Sequence, residues 1–257
     1  MSAPGDLAAL TATLARNGFV AAEEEAAELL AAAAGDDTVL AALLERRLTG
    51  EPLAWITGTV WFCGLSLAVA EGVYVPRWQS EALAARACER LPASGGVAVD
   101  LCTGCGAVAA VLARRAARVV GTDVDARSVA CARDNGVEAY VGDLFAPLPG
   151  DLAGVVDVVV GVVPYVPTRE LGLLQRDTFT FETSLAYDGG EDGCAILRRV
   201  VRDSARWLRR GGALVLELGG DEASLLAGEL AAAGFVDVGV LRDEDGDVRG
   251  VEATLAP

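Results

Sequence analysis

Val97-Ala-Val-Asp100-Leu-Cys-Thr-Gly104-Cys-Gly106 joins an apolar run to a glycine-rich turn, and an Ala- and Val-rich stretch follows at once. The run has the length and β-branched content of a buried strand, and the stretch after Gly106 begins a helix. Glycines at such a turn let the backbone pass close to a ligand, while the helix start offers free N–H groups. Downstream, strands are expected at Val119–Asp123, Ala139–Val141, Val155–Val160, Ala213–Leu218, Phe235–Val240 and Val248–Leu255. Helices are expected between most of them, one over Ala195–Leu208. Strand–helix alternation with apolar strands predicts a mostly parallel sheet covered on both faces. The last two strands are joined only by the short polar RDEDGD loop, which predicts a hairpin and one antiparallel strand.

Upstream the texture is helical. Leu7, Leu10 and Leu14 share one face, a second helix fits Ala21–Ala34, and a third fits Asp36–Leu48. The runs TVWF and LSLAVA flank Cys63-Gly64 and read as a β-hairpin, and a helix from about Trp78 to Leu91 leads into Val97. The expected organisation is α/β with a small helical N-terminal domain carrying the hairpin, residues 1–75, before a ligand-binding domain, residues 76–257.

Composition narrows the chemistry. The chain has 257 residues, 21 Lys plus Arg against 37 Asp plus Glu, a net charge of −16 and no His. That field repels phosphate backbones, so nucleic acid is not expected as a partner. Without His, any proton carrier must be a carboxylate, Tyr, Lys, Cys or the substrate itself. The six Cys are too sparse for a disulfide scaffold. Cys102 and Cys105 form a CxxC with no second pair and no His beside it, so no metal is expected. The apolar stretches are too short to span a bilayer, and the N-terminus lacks the pattern of a signal peptide. A cytoplasmic protein with no membrane partner is expected.

The glycine-rich turn predicts a nucleoside cofactor. Asp123 ends the next strand 19 residues after Gly104, placed to accept hydrogen bonds from ribose hydroxyls. Gly142-Asp143-Leu144-Phe145 ends the third strand, where an acid and an apolar neighbour can bracket an adenine. Gly104 to Ala109 also fits a dinucleotide fingerprint, but Asp100 ahead of the loop suits the ammonium of S-adenosylmethionine better than a pyrophosphate. Expected cofactor residues are Asp100, Cys102, Thr103, Gly104, Gly106, Asp123, Val124, Asp143 and Leu144, with S-adenosylhomocysteine as the product.

Five motifs, the glycine-rich turn among them, stand in order along the chain. Gly50-Glu-Pro-Leu-Ala-Trp-Ile-Thr-Gly58 resembles the GEPxAYITG signature of the release-factor glutamine amide-N-methyltransferases, the HemK or PrmC family. Val75-Pro-Arg-Trp-Gln-Ser-Glu81 resembles its IPRPETE, Asp100–Gly106 its DLGTGSG, Leu185–Gly193 its ALDGGxDGL, and Leu216–Gly219 its LEIG. The resemblance covers residues 45 to 257. It implies a class I methyltransferase, Rossmann-like sheet, and cofactor contacts at Pro76, Gly104, Gly106, Asp123 and Asp143.

The departure falls on the substrate motif. The family's NPPY stands here as Val162-Val163-Pro164-Tyr165. The resemblance implies that the Asn holds a planar glutamine amide, which Val cannot do, leaving unpaired polar groups at about 1–3 kcal/mol each. The first expectation is therefore methyl transfer to an apolar or aromatic small molecule of specialised, natural-product metabolism. Trp55, Trp61, Val162, Val163, Pro164 and Tyr165 would line its pocket, and Tyr165, Asp188 or Glu217 would take a proton. Three other readings stand beside it. One is ring closure to a cyclopropane on a substrate already joined to the sulfonium, releasing S-adenosylhomocysteine. The others are glutamine methylation of a release-factor protein, and a catalytically silent cofactor-binding partner.

Overall fold

The structure, a computed structural model, describes residues 6–174 and 180–257. Three helices open the chain: α1 (Leu7–Arg16), α2 (Ala22–Ala33) and α3 (Asp37–Leu48). Asp6 caps α1 through the Ala8 N–H, and Asp36 caps α3 through those of Thr38 and Val39, satisfying donors that a helix start leaves open. Leu10, Leu14, Ala26, Leu29 and Leu40 bury the apolar stripes of these helices in a cluster of their own. A short helix, α4 (Leu53–Thr57), follows. It was not expected, because five residues are too few to display a helical period. Its neighbours Trp55 and Ile56 point into different clusters, Ile56 among the N-terminal helices and Trp55 toward the sheet.

The hairpin pairs β1 (Thr59–Phe62) with β2 (Leu65–Ala68). Its turn residues Cys63 and Gly64 both have positive φ, 50° and 72°, the two-residue geometry that matches strand twist. Phe62, Leu67 and Val69 share a cluster with α5 (Ser80–Arg90), α6 (Ala107–Ala113) and α7 (Ala126–Asp134) on one face of the large sheet. The hairpin thus packs with the sheet. For that reason we propose that the two folding units divide just before α4 rather than at residue 75.

The large sheet has seven strands: β3 (Val97–Leu101), β4 (Arg118–Asp123), β5 (Glu138–Val141), β6 (Val156–Gly161), β7 (Leu208–Glu217), β8 (Phe235–Arg242) and β9 (Val248–Leu255). Their order is β5-β4-β3-β6-β7-β9-β8. The first five run parallel, and β9 is antiparallel to both of its neighbours. All of β6 is buried, as a strand covered on both faces requires. The opposite face is covered by α8 (Ala195–Ser204) and α9 (Glu222–Ala232), which bury Leu197, Val200, Val201, Leu226 and Leu230. Helix α8 stops at Ser204, four residues short of the expected end, because Leu208 already begins β7. Among the described residues no helix is long and apolar enough to cross a membrane.

Candidate functional site

Strand order reverses beside β3, whose successors in the chain lie on one side and β6 on the other. Ligands bind at such a switch point, past the carboxyl ends of the strands. A cavity of about 760 Å³ opens there.

Its first half is built from the loops after β3, β4 and β5. Gly104 has φ +56°, and a Cβ placed on it would meet nothing within 4 Å. The turn therefore leaves room at the cavity wall for a ligand to pass close to backbone. Asp123 straps this turn: its carboxylate accepts the Gly104 N–H and the Asp125 N–H, each at 2.9 Å. Burial pushes Asp123 up from its ordinary value, and these N–H groups pull it down. Cys102, Val124, Asp143 and Leu144 complete this wall. Arg199, which motif reading missed, reaches Asp143 at 2.6 Å from α8 and lines the same cavity.

Three expected cofactor residues lie behind the wall. The Asp100 carboxylate accepts the Thr103 hydroxyl at 2.6 Å and the Ala109 N–H at 3.1 Å. Burial raises it to about 7, against the pull of those two donors. With Pro76 and Thr103 it lines only a small secondary cavity under the loop, so Asp100 braces the turn and does not face the main cavity. Gly106 is a packing glycine, since a Cβ there would come within 2.9 Å of Val137 and 3.1 Å of Ala132.

The second half of the cavity belongs to the loop after β6. Val162, Val163, Pro164 and Tyr165 all line it, as does Glu217 at the end of β7. The Tyr165 hydroxyl donates to Glu217 Oε1 at 3.2 Å. Burial, then the nearby Glu217 charge, pushes Tyr165 up, which disfavours tyrosinate. The loop is held from behind by the 187–193 turn: the Val166 N–H reaches the Tyr187 carbonyl and the Gly189 N–H reaches that of Val166, both at 2.9 Å.

Asp188 has a different task from the one expected. Its carboxylate accepts the Thr168 hydroxyl at 2.6 Å and the Gly190 N–H at 2.9 Å, and these bonds lower its pKa. It lies outside the cavity lining, and its bonds fasten the turn.

The expected tryptophans are also misplaced. Trp55 is only 7% exposed, donates its indole N–H to the Val73 carbonyl at 2.8 Å and meets Phe181 edge-on. Trp61 is 67% exposed on the outer face of the hairpin, because Phe62 takes the inner face and successive strand residues point oppositely. Neither lines the cavity. Trp55→Phe should therefore cost about 1–3 kcal/mol by orphaning the buried Val73 carbonyl, and Trp61→Phe less than about 0.5 kcal/mol. Urea unfolding of both variants measures the difference.

The aromatic wall is made instead by Tyr74, Trp78, Tyr165 and Tyr187. Tyr74 and Tyr187 meet edge-on at 5.7 Å, and the Arg77 guanidinium lies 5.1 Å from the Tyr74 ring centre. Arg77 and the Tyr187 hydroxyl both bond the buried Glu182 carboxylate, which also accepts the Val75 N–H at 3.0 Å. Val75 and Arg77 lie more than a hundred residues from Glu182, so no local pattern announced them. Among the described residues no group of three or more Cys, Asp or Glu could hold a metal ion.

No protein-family model matches the chain. It is 35% identical to the release factor glutamine methyltransferase of Geobacter sulfurreducens over 79% of this chain and 73% of the relative. Identity to that of Mycolicibacterium smegmatis is 36%, over 82% and 78%. It is also 36% identical, over 68% of this chain and 64% of the relative, to a 4-amino-L-phenylalanine/4-methylamino-L-phenylalanine methyltransferase of Streptomyces pristinaespiralis. Among solved structures it shares its fold with a methyltransferase from Pyrococcus furiosus, at a TM-score of 0.54, 17% identity and 83% and 98% coverage. On these relatives, over a fold with glycines at the switch point, the chain belongs to the release factor glutamine methyltransferase (HemK/PrmC) family and is an S-adenosylmethionine-dependent methyltransferase.

Proposed function

We propose that the acceptor is an aromatic or otherwise apolar small molecule of specialised metabolism. One observation carries this reading: Val162 lines the cavity where the resembled motif has an amide-holding Asn, with Val163 beside it in place of a Pro. Two valines offer no side-chain hydrogen bond, so a glutamine amide seated against them leaves its polar atoms unpaired. Tyr74, Trp78 and Tyr187 offer flat apolar surface in the same cavity. The Streptomyces pristinaespiralis relative, named for a substituted phenylalanine, supports aromatic amino compounds as one class of acceptor.

The residues present fit the cofactor. Asp123 would hold the ribose, Asp143 and Leu144 the base, and the open space at Gly104 would admit the chain beyond. When bound, S-adenosylmethionine supplies a methyl group that already carries its leaving group. The protein's share is then to orient the acceptor, exclude water and receive a proton, and none of these tasks needs His. Glutamine methylation of a release factor is the second reading, favoured by the names of most of the relatives.

Mass spectrometry of a release-factor glutamine peptide incubated with the enzyme separates the two. No methyl gain is expected from the wild type, and a clear gain overturns the small-molecule reading. Val162→Asn combined with Val163→Pro should lower activity on the apolar acceptor, because it buries an unpaired amide against it.

A further inference from the structure

Glu217 is the buried carboxylate of the acceptor half, and it is paired with no Arg among the described residues. Its neighbour Arg249 is committed elsewhere, to Asp243 at 2.7 Å, and Arg77, which lines the same cavity, is committed to Glu182. Its position is fixed by the sheet. Gly161 of β6 pairs with Leu216 of β7, so Val162 and Glu217 occupy the next places on adjacent strands, side by side at the cavity. Tyr165 spans the two, its ring on the cavity wall and its hydroxyl proton given to Glu217 Oε1. A phenol that donates to a carboxylate keeps its oxygen lone pairs for another donor.

We propose that Tyr165 and Glu217 form a two-residue proton relay for methyl transfer to an acceptor that bears an N–H or O–H. An acceptor atom that gains a methyl group through its lone pair must shed its proton to end neutral, while the electrons of the broken C–S bond stay on sulfur. That proton passes to the Tyr165 oxygen as the Tyr165 hydroxyl proton passes to Glu217, leaving a neutral tyrosine and a carboxylic acid that water then discharges. Tyrosine never stores the charge. This inference deepens the small-molecule reading but needs only that the acceptor lose a proton.

The groups facing Glu217 set its working range. Ser80 from the start of α5 and Tyr165 hydrogen-bond or lie beside it, Arg249 approaches from β9, and Tyr74 lies across the cavity. Burial pushes the carboxyl above its ordinary value, against the downward pull of Ser80, Tyr165 and Arg249. Its Oε2 is buried without a partner in hydrogen-bond geometry. The carboxylate form must be present to receive a proton, so the rate should fall as pH drops through this raised value.

The test compares two probes, N-methylaniline, which must lose a proton on methylation, and N,N-dimethylaniline, which becomes a quaternary ion and loses none. If neither turns over, a release-factor glutamine peptide, whose amide also loses a proton, takes the place of the first probe. Tyr165→Phe and Glu217→Gln should lower kcat on the proton-losing acceptor about a hundredfold with KM little changed, the usual share of general-base help. Turnover of N,N-dimethylaniline, where it occurs, should change by less than about threefold, well below that share. The acid limb of the wild-type pH profile should vanish in Glu217→Gln. Independently of turnover, infrared titration of the ligand-free protein should show a carboxyl band above the ordinary carboxylate range that is absent from Glu217→Gln. Undiminished kcat in Tyr165→Phe, or an acid limb that survives Glu217→Gln, overturns the relay. Peptide methylation that depends on both residues overturns the small-molecule reading alone.

Discussion

Gly189→Ala is expected to abolish most methyl transfer while leaving cofactor binding nearly intact. A Cβ at this position would fall 2.5 Å from the Gly193 carbonyl and 2.7 Å from the Tyr165 Cα, both backbone atoms that cannot swing aside. The 187–193 turn must therefore retreat from the Tyr165 loop, breaking the paired bonds between Val166, Tyr187 and Gly189. Overpacking of this kind costs about 1–3 kcal/mol of stability. A displacement of about 1 Å at an acceptor loop costs on the order of a hundredfold in rate. The Asp123 wall lies on other strands and is not touched. Calorimetry with S-adenosylhomocysteine should give an affinity within about threefold of wild type, on the scale where 1.4 kcal/mol is tenfold. Steady-state rates should fall at least tenfold; a full rate would show that the turn does not position the acceptor.

Asp123→Ala should do the reverse and remove cofactor binding. In the proposed placement the carboxylate would offer charged acceptors to ribose hydroxyls; it straps the Gly104 turn through the Gly104 N–H and its own loop through the Asp125 N–H, each at 2.9 Å. Hydrogen bonds to a charged group are worth about 1.5–3 kcal/mol each, so losing two weakens affinity by roughly two orders of magnitude or more. Asp123→Asn keeps one acceptor oxygen and should fall between. Calorimetry with S-adenosylhomocysteine reads the series directly. Unchanged affinity in Asp123→Ala would remove Asp123 from the cofactor site. Tighter binding of a nicotinamide dinucleotide would contradict the carboxylate-lined wall.

The sheet was legible because a strand covered on both faces must be mostly apolar, and Val97–Leu101 and Val156–Gly161 are, each interrupted by a single Asp. The glycine turn was legible because positive φ leaves a composition mark, as at Gly104 and Gly106. The same mark misled at Gly106, where the missing Cβ makes room for Ala132 and Val137 rather than for a ligand. The aromatic wall was misread because a signature motif drew attention to Trp55, and with it to Trp61 in the hairpin just after. Strand alternation offered the correction: with Phe62 inside, Trp61 must lie outside. The Glu182 hub stayed hidden, since its carboxylate joins the nearby Tyr187 to Val75 and Arg77, more than a hundred residues upstream. Pairings of that kind obey no period. They become visible only when the chain is folded.

Adjacent residues of α4 serve opposite interiors, Trp55 the sheet side and Ile56 the helical side. One consequence is a rule of length. Adding or deleting a residue within Leu53–Thr57 turns the helix by about 100° per position, taking Trp55 from the Val73 carbonyl and exposing one interior or the other. The turn before it, Thr49 to Pro52, is tied to α3, where Arg46 pairs with Glu51 and Arg47 donates to the Glu51 carbonyl at 2.9 Å, so it belongs with the helices it closes. A different helical cap could be grafted there, provided it presents a socket for Ile56. The front of the molecule is thus open to exchange while the register of five residues behind it is closed to change.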